Sequence, residues 1–127
     1  MNMQAIHTDN APAALGPYSQ ARRVGDFVFT SGQIGINTAS GKLAEGIVAQ
    51  THTALKNLGA ILQEAGLGYN DVVKTTVFLK DLNDFQIVNS VYAQYFTDAL
   101  PARSCVQVAA LPLSALVEIE CIAVVGG

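Results

Sequence analysis

The sequence is poor in the residues that bind metals, form disulfides or contact nucleic acids. Among 127 residues it has two cysteines, two histidines and no tryptophan, and only 13% of the residues are charged. The cysteines show no CxxC or Cys/His spacing, and the histidines lie in different predicted elements, so a zinc site has almost no support. The seven basic residues are scattered apart from one Arg-Arg pair, and the net charge is −3. This balance argues against tight binding to a phosphate backbone.

Long apolar runs are also missing. No run approaches the roughly 20 residues that cross a bilayer, and residues 1–10 have neither the basic segment nor the apolar stretch of a secretory signal. We therefore expect a cytoplasmic protein. Strand alternation predicts that Cys105 and Cys121 point to opposite sides of a sheet, so we expect two free thiols rather than a disulfide.

The sequence is rich in apolar residues. Half of its residues are hydrophobic, so a monomer of this size would have difficulty covering itself with polar side chains. The length allows one good core and one domain, residues 1–127. We therefore expect contacts between subunits to bury part of the apolar surface.

The pattern along the chain predicts an α+β domain. A Gly25-Asp26 turn separates two strands, and apolar positions spaced by three and four residues predict a helix that Gly66 closes. We predict a mixed six-stranded sheet with two helices packed on one face. The predicted strands are 18–24, 27–31, 71–80 and two in the last 27 residues, with a possible short strand after residue 31; the helices are 47–65 and 84–96.

Charged residues inside the last two predicted strands are the main chemical signal. If these strands form a hairpin, alternation places Arg103 and Glu118 on the face that the helices leave free. The hairpin register separates the two residues by about 20 Å, at about 3.3 Å per residue. An ion pair within one chain is therefore not expected. Arg103 requires either a carboxylate from another subunit or a small anionic ligand.

Several short segments together carry a family resemblance. They are GPYSQA (16–21), FTSGQI (29–34), VKTTVF (73–78), KDLNDF (80–85), PARS (101–104), LP (111–112) and VEIE (117–120). Across essentially the whole chain they resemble the reactive intermediate deaminase family, specifically its A subgroup of 2-iminobutanoate/2-iminopropanoate deaminases. One departure is a short 96–101 link, which lacks a few residues found in some relatives and would alter one wall of the site.

The resemblance implies a homotrimer with a chorismate-mutase-like fold, sites between subunits, and metabolite damage control as the role. No nucleic acid or membrane partner is expected, because the charge balance is acidic and long apolar runs are missing. It implies hydrolysis of 2-aminoacrylate, 2-iminopropanoate and 2-iminobutanoate to 2-oxo acids and ammonia, without metal or cofactor. Arg103 would hold the substrate carboxylate, and Glu118 of a neighbouring chain would activate water. The remaining implied site residues are Tyr18, Ser31, Gly32, Asn89 and the main-chain amide of Cys105.

Simpler interpretations remain open at this point. Arg103 suits an interface ion pair, Tyr18 suits packing, and Asn89 suits a satisfied buried amide. Ser31 and Gly32 are also common in ordinary turns. At the level of function, a non-catalytic 2-oxo-acid-binding module is the main alternative, and a ribonuclease or translation inhibitor is a weaker one.

Overall fold

The computed structural model describes residues 3–126. The predicted domain bounds 1 and 127 lie outside the described residues. Within them the chain forms strands and two α-helices in the order β1 (Met3–Ile6), β2 (Ala21–Val24), β3 (Phe27–Thr30), β4 (Gln33–Ile34), α1 (Ile47–Glu64), β5 (Val72–Leu79), α2 (Phe85–Tyr92), β6 (Ala102–Gln107) and β7 (Val117–Val124).

A single mixed sheet forms the body of the fold. The strand order is β1-β2-β3-β7-β5-β6, and β4 pairs with β7 beyond the end of β3. Among the strand pairs of residues 3–126, only β5–β6 is parallel. The β2–β3 hairpin closes through Gly25-Asp26 as predicted, with Gly25 at a φ of 59°. In the described part of the chain the sheet has seven strands rather than six, because β1 adds an edge strand that the sequence pattern did not indicate.

Both helices pack on one face of this sheet, which confirms the predicted α+β arrangement. The apolar stripe of α1 buries Leu55, Leu58 and Leu62 against the sheet, and Gly66, at a φ of 78°, follows its end. Helix α2 ends at Tyr92 rather than at the predicted Phe96, because the Gln94 and Tyr95 amides bond to carbonyls three residues back instead of four. Neither helix is long and apolar enough to span a bilayer, within residues 3–126.

The predicted hairpin between the last two strands is wrong. Strand β5 lies between β6 and β7, pairing with β6 in parallel and with β7 antiparallel. A parallel pair needs a crossover connection, and α2 supplies it as β5–α2–β6. The sequence-adjacent strands are therefore not neighbours, and the predicted 20 Å separation along a hairpin does not apply.

The predicted face of Arg103 is also wrong. Thr75 lies opposite both Arg103 and Cys121 in the ladder, and its buried hydroxyl is 2.7 Å from the Tyr92 hydroxyl on α2. Paired residues point to the same side of a sheet, so Arg103, Cys105 and Cys121 lie on the helix face. Both thiols are free, but the prediction that they point to opposite sides is incorrect.

The opposite face of the sheet carries no helix among the described elements. Glu118 lies on this open face, because its ladder partner Phe78 alternates with the buried residues of β5. Exposed apolar side chains lie on it as well: Phe27 and Phe29 are 48% and 43% exposed, and Val106 is 43% exposed. Arg103 and Glu118 thus project from opposite faces of one sheet.

Candidate functional site

Arg103 is held in place by α2 without an acidic partner. Its Nη1 donates a 2.7 Å hydrogen bond to Oδ1 of Asn89, and its Cζ lies 5.4 Å from the Phe85 ring centroid and 4.9 Å from that of Tyr92. Cation–π contacts of this kind orient a guanidinium while leaving its charge uncompensated. The only contact at salt-bridge distance found in residues 3–126 is between the His7 ring and the Asp9 carboxylate. The remaining guanidinium N–H groups can therefore serve a ligand anion.

An open groove begins at this guanidinium. It lies between the end of α2 and the link that leads into β6, and its lining is mostly apolar. The lining residues are Asn89, Tyr92, Ala93, Phe96, Leu100, Pro101 and Arg103. We call Arg103, Asn89 and this groove the cationic half-site. Its chemistry suits a small carboxylate, because a planar guanidinium can make two parallel hydrogen bonds to the carboxylate oxygens.

Cys105 follows Arg103 on the same face of β6 and packs against the core. Burial raises the pKa of the Cys105 thiol, and the opposing effect of the Arg103 charge is smaller. A thiol is reactive as the thiolate, so this environment disfavours a nucleophilic role. No group of three or more His, Cys, Asp or Glu side chains is placed to hold a metal ion within residues 3–126. The predicted role of the Cys105 main-chain amide stays a prediction.

Glu118 is the centre of a second group of predicted residues. It lies on β7 between Ile34 of β4 and Phe78 of β5, and its side chain is half-buried. Burial raises the pKa of the Glu118 carboxyl, and the neighbouring Glu120 charge raises it further. A carboxylate with a raised pKa is suited to moving protons near neutral pH.

Gly32 brings main chain close to this carboxylate. A Cβ added at Gly32 would overlap Oε2 of Glu118 and lie 2.7 Å from its Cδ and 2.9 Å from its Cγ. The glycine is therefore required for space rather than for an unusual backbone angle. The predicted alternative of an ordinary turn glycine does not account for this contact.

Tyr18 and Ser31 lie in the loops beside Gly32. Tyr18 is 48% exposed, and its hydroxyl accepts a 3.0 Å hydrogen bond from the Leu15 amide. Ser31 Oγ donates a 2.6 Å hydrogen bond to the Ser19 carbonyl, so its proton already has a main-chain acceptor. Tyr18 and Gly32 line one small pocket together with Leu15. We call Glu118, Gly32 and Tyr18 the acidic half-site.

Gln20 is a buried residue near the acidic half-site that the sequence pattern did not indicate. Its buried Nε2 donates to the carbonyls of Thr8, at 3.1 Å, and Pro12, at 2.8 Å, and its Oε1 accepts from the Thr8 amide at 2.8 Å. These bonds fix the loop that carries Tyr18. Only its position directly before a strand could have drawn attention to it, because a single polar residue gives no periodic signal.

One chain cannot bring the two half-sites to the same small molecule. Arg103 lies opposite Thr75, which lies opposite Cys121, and Glu118 is three residues before Cys121 on β7. Two strand spacings amount to about 10 Å, and the two side chains leave opposite faces of the sheet. The separation inferred from the sequence is thus retained, although for a different geometrical reason.

The fold and the two half-sites define an α+β domain with separated cationic and acidic groups on opposite sheet faces. The chain belongs to the Endoribonuclease L-PSP family, whose family model matches residues 8–125. This membership agrees with the resemblance found in the sequence segments. The chain is 54% identical to the mouse 2-iminobutanoate/2-iminopropanoate deaminase, over 97% of this chain and 92% of the mouse protein.

Solved structures support the same assignment. A putative endoribonuclease of Thermotoga maritima is 50% identical and superposes with a TM-score of 0.94, covering 98% of each chain. E. coli TdcF with bound serine is 46% identical with a TM-score of 0.92, covering 95% of this chain and 98% of that chain. Both similarities extend over nearly the whole described fold.

Substitution of Gly32 by alanine tests the close packing of the acidic half-site. The added methyl group must displace the end of a flexible Glu118 side chain, so we expect little loss of thermal stability. Because a misplacement of about 1 Å can reduce a rate by up to about 100-fold, we expect a loss of about 10-fold in a reaction that this half-site catalyses. Gly68→Ala is the matched control, because nothing lies within 4 Å of a Cβ built there. Equal activity of the two variants would contradict a role for Gly32.

Proposed function

We propose that this protein hydrolyses the reactive imines and enamines of short 2-amino acids to 2-oxo acids and ammonia. The observation that carries the proposal is Arg103, a cation without an acidic partner among the described residues, oriented by Asn89 at the end of a largely apolar groove. The deaminase name of the mouse relative supports the reaction, and the serine bound to TdcF supports a ligand with a carboxylate.

The active site we propose is composite, formed by two subunits of a homotrimer. Arg103, on the helix face of one subunit, would meet Glu118 on the open face of its neighbour. Exposed Phe29 and Val106 on this face supply apolar surface for such a contact, and the low charge content of the chain makes association favourable. The single domain, residues 1–127, would act in the cytoplasm.

The proposed mechanism places the reacting carbon between the two half-sites. Arg103 binds the substrate carboxylate, aided by the Cys105 main-chain amide, which fixes the end of the molecule that does not react. Asn89 holds the guanidinium, while Ser31 and Gly32 shape the opposite wall. Tyr18 donates a hydrogen bond to substrate or water. Positioning of this kind supplies much of the acceleration when the substrate is already reactive.

Glu118 accounts for the proton transfers. An enamine first takes a proton at C3 to become the imine. Glu118 then removes a proton from water as the water oxygen bonds to the imine carbon, and the imine nitrogen gains a proton. As the C–N bond breaks, the proton held by Glu118 passes to the leaving nitrogen, ammonia departs, and the carbinolamine hydroxyl releases its proton to solvent as its oxygen becomes the 2-oxo group. The scheme requires neither a metal nor a cofactor, because the imine carbon is itself electrophilic.

The direct test generates 2-iminobutanoate with a threonine dehydratase and follows 2-oxobutanoate and ammonia release. We expect the oligomeric wild-type protein to accelerate both in proportion to its concentration. Release at the uncatalysed rate, together with saturable 2-oxobutanoate binding, would instead establish the non-catalytic binding module. RNA cleavage that survives both Arg103→Ala and rigorous nuclease removal would establish the endoribonuclease alternative that the family description names.

A further inference from the structure

The groove at Arg103 is larger and more apolar than the smallest proposed substrates require. Only Arg103 and Asn89 contribute polar side-chain atoms at one end, apart from the Tyr92 hydroxyl, which is bonded to Thr75. The walls beyond them are Ala93, Phe96, Leu100 and Pro101. A cation at one end and apolar walls along the rest are complementary to an anion with an apolar tail.

The wall residues differ in how firmly they are fixed. Phe96 is 3% exposed and Tyr92 is 8% exposed, so both belong to the folded core. Leu100, in the short link before β6, is 76% exposed. Ala93 is exposed and has the smallest side chain on the helix side of the groove. A ligand tail lying between Ala93 and Leu100 would remove apolar surface of both from water.

We infer that Ala93 and Leu100 determine the preferred side-chain length of the substrate. With the carboxylate on Arg103, the side chain of the imine extends along the groove between these two residues. Imines with branched or longer apolar side chains, such as the one derived from leucine, are then favoured over 2-iminopropanoate. This inference rests on the proposed function and adds a specificity determinant to the same site.

The Leu100→Ser variant tests the exposed wall. Imines are generated in situ from alanine, 2-aminobutanoate and leucine by an L-amino-acid oxidase in the presence of catalase. Since each buried methylene contributes roughly a 4-fold preference, we expect kcat/KM for the leucine-derived imine to fall about 5- to 10-fold. The value for 2-iminopropanoate should fall by a smaller factor, because its methyl group does not reach this wall, so the ratio of the two values should decrease. A uniform loss for all three imines would overturn the inference.

Ala93→Leu is the complementary variant, because it fills the groove from the helix side. We expect the ratio of kcat/KM for the leucine-derived imine to that for 2-iminopropanoate to fall about 10-fold or more. Val48→Ser is the matched control: Val48 is an exposed apolar residue, 42% exposed, on α1 outside the groove. An equal change in chain-length preference in the control would also overturn the assignment.

Product binding separates this inference from the proposed reaction. Calorimetric titration measures the affinity of the groove for pyruvate, 2-oxobutanoate and 4-methyl-2-oxopentanoate, and it requires no turnover. We expect affinity to rise with chain length in the wild type and this rise to disappear in Leu100→Ser. If no imine is turned over but the rise and its loss are observed, the proposed reaction fails and the groove assignment stands. Equal affinities for the three acids in the wild type would refute the groove assignment alone.

Discussion

Replacing Arg103 with alanine is expected to reduce kcat/KM for 2-iminobutanoate by about 100-fold or more. Loss of one partner of a desolvated charged pair costs about 2–5 kcal/mol. This energy corresponds to a reduction in affinity of roughly 30- to 5,000-fold, which includes the expected factor. In this chain the loss would have no substitute, because the neighbouring polar group is the Asn89 amide. Binding of 2-oxobutanoate, measured by calorimetry, should weaken by a similar factor.

Arg103→Lys distinguishes a carboxylate clamp from a general positive charge. Lysine retains the charge but lacks the planar fork and the five donors of the guanidinium. It would also lose the stacking over Tyr92 and the Nη1 bond to Asn89. We therefore expect substantial loss with lysine as well, and a thermal melting curve close to that of the wild type. Lys56→Ala, which removes an exposed charge from α1, is the control; an Arg103→Lys variant of full activity would contradict the clamp.

The elements with strong local signals were predictable from the sequence. The three- and four-residue spacing of Leu55, Leu58 and Leu62 gives α1 its buried stripe, and Gly66 adopts the positive φ expected at its end. Gly25-Asp26 likewise marks the β2–β3 hairpin. In each case one short segment contains the physical cause of its own conformation, so no knowledge of distant residues was needed.

The placement of β6 could not be obtained in the same way. Each side of β6 carries one polar and one apolar residue: Arg103 and Cys105 on one side, Ser104 and Val106 on the other. Periodicity therefore does not decide which side faces the helices. The outcome depends on α2: Asn89 and the rings of Phe85 and Tyr92 stabilise the guanidinium on the helix face. These contacts become visible only when the β5–α2–β6 crossover is known.

The candidate site shows the same division. The family resemblance pointed to Arg103 and Glu118 as site residues, and their roles stay a prediction. Their separation within one chain was inferred from a hairpin that does not form; in the structure it arises because the two side chains leave opposite faces of the sheet. Gln20 was missed because its role consists of hydrogen bonds to main-chain groups of residues 8–12. A buried amide of this kind has no sequence signature, since its partners are defined by loop geometry rather than by residue type.

Replacing Glu118 with glutamine is expected to reduce kcat by roughly 100-fold or more, within the range of roughly 10²–10⁴ that general acid–base catalysis contributes. Glutamine is nearly isosteric, so contact with Gly32 and the strand pairing of β7 should be retained. Substrate or product binding should therefore change far less than turnover. Calorimetry measures the affinity for 2-oxobutanoate, and single-turnover experiments measure the chemical rate, so together they separate binding from catalysis. A parallel loss of affinity and rate would argue for a binding role instead.

The pH dependence of turnover tests whether Glu118 is the base. Only the carboxylate form can accept a proton, so activity should rise with pH through the pKa of Glu118. Burial is the larger cause of the raised pKa and the Glu120 charge the smaller one. Glu120→Gln should therefore move the acidic limb of the kcat profile to lower pH while leaving it above that of an ordinary glutamate. An unchanged limb in Glu120→Gln, or the same limb persisting in Glu118→Gln, would assign the titration to another group, because removing a negative neighbour must favour the charged form of the base.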